Sequence, residues 1–220
     1  MNVNYGKWKT KQFDTSLYFI TDSSDYTEQE FLFCVEEALK GGVTLIQFRE
    51  KDKTTREYIA LAQKVHSITK KYNVPLIIDD RVDVALAIDA EGVHVGQSDM
   101  PVSLARKLMG KNKIVGATAK TVEQAKEAFE QGADYLGVGA IYPTTTKVKT
   151  VLTSTDTLKD ICNAVPIPVN AIGGLNKDNI DILERILISG VCVVSAIMKA
   201  DDTKKATEEL KARVKELNLC

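Results

Sequence analysis

Gln47, Arg49 and Lys51 stand at every second position of Thr44-Leu45-Ile46-Gln47-Phe48-Arg49-Glu50-Lys51. Side chains alternate across a strand, so an extended chain here puts an amide, a guanidinium and an ammonium on one face. That set suits an anion, although a solvated strand end would alternate in the same way. Other apolar runs also end in polar groups: Asp79-Asp80-Arg81, Gln97-Ser98-Asp99, Thr144-Thr145-Thr146-Lys147, Gly173-Gly174 and Ser195. Asp80 and Asp99 follow successive strand candidates, and two neighbouring carboxylates completed by water and phosphate oxygens make a Mg2+ environment. Each aspartate also precedes a helix candidate, where capping would account for it equally. The hydroxyls and ammonium after Pro143 suit phosphate capture on a loop long enough for a lid. Gly173-Gly174 and Ser195 stand where backbone N–H groups often take a second anion. A divalent metal with three cations exceeds the needs of a monophosphate, so the first anion reads as a diphosphate.

The elements that must position these groups alternate between short β-rich runs and longer segments of helical period. Strand candidates are Leu17–Thr21, Thr44–Arg49, Pro75–Ile78, Gly92–Val95, Ile114–Ala117, Tyr135–Val138, Val169–Ile172 and Val191–Val194. Helix candidates are Glu28–Lys40, Thr55–Tyr72, Val82–Ile88, Val102–Met109, Val122–Gln131, Leu158–Ala164, Ile180–Ile188 and Lys204–Leu217. Eight such units predict an α/β fold, a single-domain (β/α)8 TIM barrel whose site forms at the C-terminal strand ends. A doubly wound open sheet shares the alternation, but no Gly-x-Gly-x-x-Gly follows the first strand. The barrel is expected over residues 16–220, behind an N-terminal extension of residues 1–15. Gly41, Gly132 and Gly190 follow helical patterns as left-handed C-terminal residues would, and Thr121-Val122-Glu123-Gln124 resembles a capping box.

Composition narrows the partners. With 29 basic against 30 acidic residues, a net charge of -1 and 6% aromatic residues, nothing favours nucleic acid. No apolar run is long enough to cross a bilayer, and the start lacks a signal-peptide apolar region, so a cytoplasmic protein with small-molecule substrates is expected. Cys34, Cys162, Cys192 and Cys220 share no metal-ligand or redox spacing, and the first three lie in apolar stretches as reduced core thiols would. His66 and His94 read as packing or hydrogen-bonded structural residues. Oligomeric state has no signature in the sequence.

From Leu17 to Ala196 the chain resembles the thiamine phosphate synthase family. The matching motifs are Leu17-Tyr18-Phe19-Ile20-Thr21-Asp22, Gln47-Phe48-Arg49-Glu50-Lys51, Asp79-Asp80-Arg81-Val82-Asp83, Gly92-Val93-His94-Val95-Gly96-Gln97-Ser98-Asp99, Tyr142-Pro143-Thr144-Thr145-Thr146-Lys147 and Ile172-Gly173-Gly174-Leu175. The resemblance implies a transferase of thiamine biosynthesis. A hydroxymethylpyrimidine group passes from its diphosphate to a thiazole phosphate, releasing pyrophosphate and, from a carboxylated thiazole, CO2.

It further implies Gln47, Arg49, Glu50, Lys51 and Asp79 around the pyrimidine diphosphate, with Thr118 close by where the family usually has serine. Asp80 and Asp99 would hold Mg2+, and Lys147 would join Arg49 and Lys51 on the leaving group. Thr144, Thr146 and the backbone at Gly174, Val194 and Ser195 would bind the thiazole phosphate. A dissociative transfer needs the charge on departing pyrophosphate neutralised and no protein nucleophile, which agrees with these residue types. The chain departs from the family pattern at Asp79, usually asparagine, at Gly139-Ala140, usually Gly-Pro, and at Lys120, often histidine. A related thiazole tautomerase shares Arg49-Glu50-Lys51 and Gly173-Gly174 but uses a histidine near position 120. A catalytically silent phosphate-ligand-binding barrel would not require Asp80, Asp99 and Lys147 together.

Overall fold

Short runs such as Leu45-Ile46-Gln47-Phe48 and Leu76-Ile77-Ile78-Asp79 are buried on both faces, which is what a parallel strand covered by helices demands. The computed structural model describes residues 13–144 and 151–217. Its strands are β1 Leu17–Ile20, β2 Leu45–Phe48, β3 Leu76–Asp79, β4 Gly92–Val95, β5 Ile114–Ala119, β6 Tyr135–Gly139, β7 Val169–Ile172 and β8 Gly190–Val193. The helices are α1 Glu28–Gly41, α2 Thr55–Lys71, α3 Val82–Ala87, α4 Val102–Met109, α5 Val122–Glu130, α6 Thr155–Ala164, α7 Ser195–Met198 and α8 Thr203–Glu216. Each strand pairs with its sequence neighbour, and β8 pairs in parallel with β1 through Leu17–Val191, Tyr18–Cys192 and Phe19–Val193. The expected (β/α)8 barrel is therefore closed. No helix among the described residues is long and apolar enough to cross a membrane.

Alternation divides the core in two. Outward residues such as Leu17, Phe19, Ile46, Phe48, Ile78 and Val93 pack with the helices. Inward residues Tyr18, Ile20, Leu45, Ile77, Ile114, Tyr135 and Cys192 form a separate cluster, with Phe13 packed against it. Helices α1 and α2 begin at capping boxes, Thr27 with Glu30 and Thr54 with Glu57, each such cap worth about 1 kcal/mol. At α5, Thr121 accepts from the Gln124 N–H, while the Gln124 side chain takes the Lys120 N–H instead of closing a box with Thr121. Cys34 and Cys192 are buried free thiols and Cys162 is half-buried, its thiol pushed up to about 11 by burial. Cys220 lies outside the described residues.

Several local expectations are corrected. Ile180–Ile188 is not an α-helix: a single 3-10 turn at Ile180–Leu183 buries Ile180 and Leu183, and Arg185 then takes a φ of 69°. The Asn179 side chain accepts from the Asn176 N–H and donates to the Gly174 carbonyl, side-chain bonding that competes with continued helix. Gly42, with φ 99°, is the left-handed residue after α1, whereas Gly41 is still helical. Gly190 opens β8 instead of ending a helix, because a Cβ there would lie 1.9 Å from the Thr15 carbonyl oxygen. α7 was not foreseen, and α6 starts at Thr155, three residues before the expected Leu158, because Ser154 caps it.

The interior tolerates Tyr135 only because β5 carries glycine beside it. A Cβ at Gly116 would lie 2.1 Å from the Tyr135 ring, whereas one at Gly137 would meet the His94 ring at 3.4 Å. Gly116→Ala is expected to cost about 1–3 kcal/mol by overpacking, measured by denaturant unfolding, and Gly137→Ala distinctly less.

Candidate active site

At the C-terminal ends of the strands lies a cavity of about 350 Å3. Gln47, Arg49 and Lys51 line one wall, and Gln47 is only 3% exposed, so this face is no solvated strand edge. The Lys51 ammonium donates to Asp79 Oδ2 at 2.9 Å and to Asp80 Oδ2, and Arg49 Nε stands 3.7 Å from Asp79 Oδ2. Burial pulls the Lys51 ammonium down, but Asp79 and Asp80 outweigh that and hold its pKa above the ordinary value. Tyr58, behind this wall, donates its hydroxyl to the Phe48 carbonyl at 3.1 Å and lies 3.4 Å from that of Asp79, bracing the ends of β2 and β3.

Asp80 turns the chain sharply after β3. Its φ is 58°, left-handed backbone that costs a non-glycine residue about 1 kcal/mol or more, and its N–H donates to the His94 carbonyl at 2.8 Å. α3 follows with Arg81 at its N-cap and α4 with Pro101, both without a side-chain cap bond. Neither aspartate is therefore a helix cap. Asp99 Oδ2 accepts from the Gly96 N–H at 2.8 Å. Burial, then the nearby Asp80 carboxyl, pushes the Asp99 pKa up.

Two carboxyls held against each other repel unless a proton or a cation lies between them. Among the described residues no group of three or more His, Cys, Asp or Glu gathers around one point. A pair of carboxylates fits Mg2+, which retains waters and takes phosphate oxygens, better than a metal that needs a full protein cage.

A neutral chain of side chains crosses the cavity floor. Gln47 Nε2 donates to the Tyr18 hydroxyl at 2.8 Å, and the Tyr18 and Tyr135 hydroxyls are 2.6 Å apart. His94 Nδ1 is 3.1 Å from the Tyr135 hydroxyl and Nε2 is 2.9 Å from Thr118 Oγ1. From the ends of β6, β7 and β8 the lining adds Thr144, Gly173, Gly174, Val194 and Ser195. Gly173 and Gly174 have φ of 107° and 62°, and a Cβ at Gly174 would lie 2.8 Å from the Pro143 carbonyl oxygen. Only glycine brings the backbone this close to the loop after β6.

The structure thus brings Gln47, Arg49, Lys51, Asp79, Asp80, Asp99, Thr118, Thr144, Gly174, Val194 and Ser195 to one cavity. Thr146 and Lys147 lie outside the described residues. Glu50 turns away from the cavity: Oε2 accepts from the Ser23 hydroxyl at 2.7 Å, Oε1 is buried without a partner, and burial raises its pKa. His66 meets Glu91 at 3.1 Å, a structural contact as expected. The sequence reading missed Tyr18 and Tyr135, named Lys120 only as a departure from the family pattern, and gave His94 no place at the site. Their signal was the period-two inward register, in which Tyr18 shares a face with Ile20 and His94 with Gly92.

The sequence model described as "Thiamine monophosphate synthase" matches residues 17–197, from the start of β1 into α7. The chain belongs to this family. It is 51% identical over 205 residues to a thiamine-phosphate synthase of Methanobrevibacter smithii, covering 93% of this chain and 98% of the relative. A thiamine-phosphate synthase of Clostridium tetani is 48% identical over 200 residues, covering 91% and 96%. Among solved structures, a thiamine phosphate pyrophosphorylase from Pyrococcus furiosus superposes with a TM-score of 0.84 at 42% identity, covering 92% of this chain and 96% of that one.

The Ser23–Glu50 bond joins the loop after β1 to the loop after β2. Ser23→Ala leaves a buried carboxylate with less hydrogen bonding, and unfolding measurements are expected to show a loss of about 1–3 kcal/mol.

Proposed function

We propose that the cavity binds hydroxymethylpyrimidine diphosphate beside a thiazole phosphate, and that the protein is a thiamine phosphate synthase, a transferase releasing pyrophosphate. The observation that carries this reading is the wall where Arg49 and Lys51 face the paired carboxyls Asp80 and Asp99. Such a wall suits a diphosphate and a divalent cation. Asp80 and Asp99 are the residues that would hold Mg2+, whose chemistry there is to neutralise charge on the leaving group.

In the transfer, the bond between the pyrimidine methylene and the diphosphate oxygen breaks, and its electron pair leaves with pyrophosphate. Arg49 and Lys51 stabilise that developing charge, joined on the family likeness by Lys147. The pyrimidine ring shares the positive charge left on the methylene carbon until the thiazole nitrogen attacks it. Gln47 and Thr118 hold the ring, and Asp79 orders the two cations. Thr144 and the backbone N–H groups of Gly174, Val194 and Ser195 hold the thiazole phosphate, with Thr146 assigned there by the same likeness. We assign catalysis to the barrel of residues 16–220 and place the protein in the cytoplasm, acting on small molecules.

Incubation with both phosphorylated precursors and Mg2+ is expected to yield thiamine phosphate. Folded protein that yields none overturns the reading. Asp80→Asn and Asp99→Asn are each expected to lower turnover about 100-fold or more, and a chelator is expected to stop the reaction until Mg2+ is restored. Near-parent rates in both variants, or indifference to the chelator, count against the metal site.

A further inference from the structure

The geometry points to a one-way chain of hydrogen bonds, Gln47 to Tyr18 to Tyr135 to His94 to Thr118, that selects a ring offering a donor at Gln47 and an acceptor at Thr118. It rests on the function proposed above and makes Tyr135, which lies outside the cavity lining, a positioning residue for pyrimidine recognition. Each hydroxyl in the chain owns one proton, and a neutral imidazole owns one between two nitrogens. Gln47 Nε2 donates to the Tyr18 oxygen, so the Tyr18 proton goes to its 2.6 Å partner, Tyr135. The Tyr135 proton then goes to His94 Nδ1, 3.1 Å away, which leaves the imidazole proton on Nε2, donated to Thr118 Oγ1 at 2.9 Å. Thr118 Oγ1, accepting from His94, keeps its own proton to donate, and the residue lines the cavity. Gln47 lines the cavity too, and its carbonyl oxygen takes no part in the chain.

Reversing the Gln47 amide would reverse every bond, so the two ends cannot change independently. A mixed state would leave one contact with two protons or with none. The direction is set electrostatically: Arg49 and Lys51 stand on the same face of the chain above Gln47, and a carbonyl oxygen is favoured beside cations over an N–H2 group. Burial drives both phenols far above their ordinary range, which keeps their protons in the chain. Space has been cleared for it, since a Cβ at Gly116 would lie 2.4 Å from the Tyr135 hydroxyl oxygen.

The pyrimidine of thiamine carries an exocyclic amino donor and ring-nitrogen acceptors. Along the edge of the 4-substituent and N3 its oxo counterpart presents a carbonyl acceptor and a ring N–H donor, the opposite pattern, while N1 stays an acceptor. A site with fixed buried polarity rejects the opposite pattern because a polar group on each side goes unpaired.

The test measures dissociation constants by calorimetry for the amino- and oxo-pyrimidine methyl diphosphates, with Mg2+ and without the thiazole phosphate. The parent protein is expected to prefer the amino ring by about tenfold or more. Tyr135→Phe keeps the ring and cuts the chain, so the preference is expected to fall at least about fivefold, with affinity for inorganic pyrophosphate unchanged. Tyr18→Phe cuts the chain one bond earlier and carries the same expectation should Tyr135→Phe fail to fold. Equal binding of the two rings by the parent, or an undiminished preference in the folded variants, overturns the proposal. A parent that shows the preference yet makes no thiamine phosphate sinks the activity and leaves the chain standing; one that binds neither ring sinks both.

Discussion

A closed ring of parallel strands has no edge, and an inward polar side chain has only the ring's own groups to pair with, a constraint that Asn170 of β7, buried with its amide unpartnered, does not meet. β8 pairing with β1 imposes this on the whole molecule. At the bottom the constraint is met by apolar packing, with Phe13 set edge-on to the Tyr135 ring at 5.9 Å. One layer up, the inward positions carry Tyr18, Tyr135, His94, Gln47 and Thr118, which satisfy one another. Above them the inward positions are ionised, and Lys51 bridges Asp79 and Asp80. Polarity rises in steps toward the mouth, where water and ligand can complete what the protein leaves open.

Among the described residues the charged lining is balanced, with Asp79, Asp80 and Asp99 against Arg49, Lys51 and Lys120. Because Asp79 and Asp80 already pair with Lys51, and Asp79 stands near Arg49, this lining offers a dianionic group little free positive charge. The divalent cation proposed above would add positive charge at Asp80 and Asp99, the latter raised first by burial and then by its Asp80 neighbour. Asp79, where the family usually has asparagine, adds charge behind Arg49 and Lys51. That acid holds the two cations in place before a ligand arrives and competes with the ligand afterwards. Preorganisation is gained at some expense in affinity.

The ring was legible because strand and helix periods alternate eight times and each polar strand end has its own chemistry. Boundaries agreed closely where a cap or an apolar run was decisive, as at α4 and β7. They diverged where a side chain competes with the backbone for hydrogen bonds, as at Asn179, or where only close approach of another chain segment explains a glycine, as at Gly190 and Thr15. The charged half of the site was legible because Gln47, Arg49 and Lys51 share a strand face. Glu50 shows the limit of motif reading: it stands between Arg49 and Lys51, so alternation sends it to the opposite face, where it meets Ser23. The neutral half was hidden because Tyr18, Tyr135 and His94 lie on three different strands, and their contacts depend on the register of a ring that only closure fixes.

That register also explains why the interior combines its largest and smallest residues. Gly116 pairs with Tyr135 across β5 and β6, and Gly137, next inward on β6, lies beneath the His94 ring. Replacing Gly116 by an ordinary β former would raise strand propensity while displacing Tyr135, whose hydroxyl takes part in two of the hydrogen bonds. Strand stability is therefore subordinated here to a polar network. In a fully buried layer that ordering makes physical sense only if the network's ends have work in the cavity, because apolar residues of the same volume would pack the ring at less risk of an unpaired group.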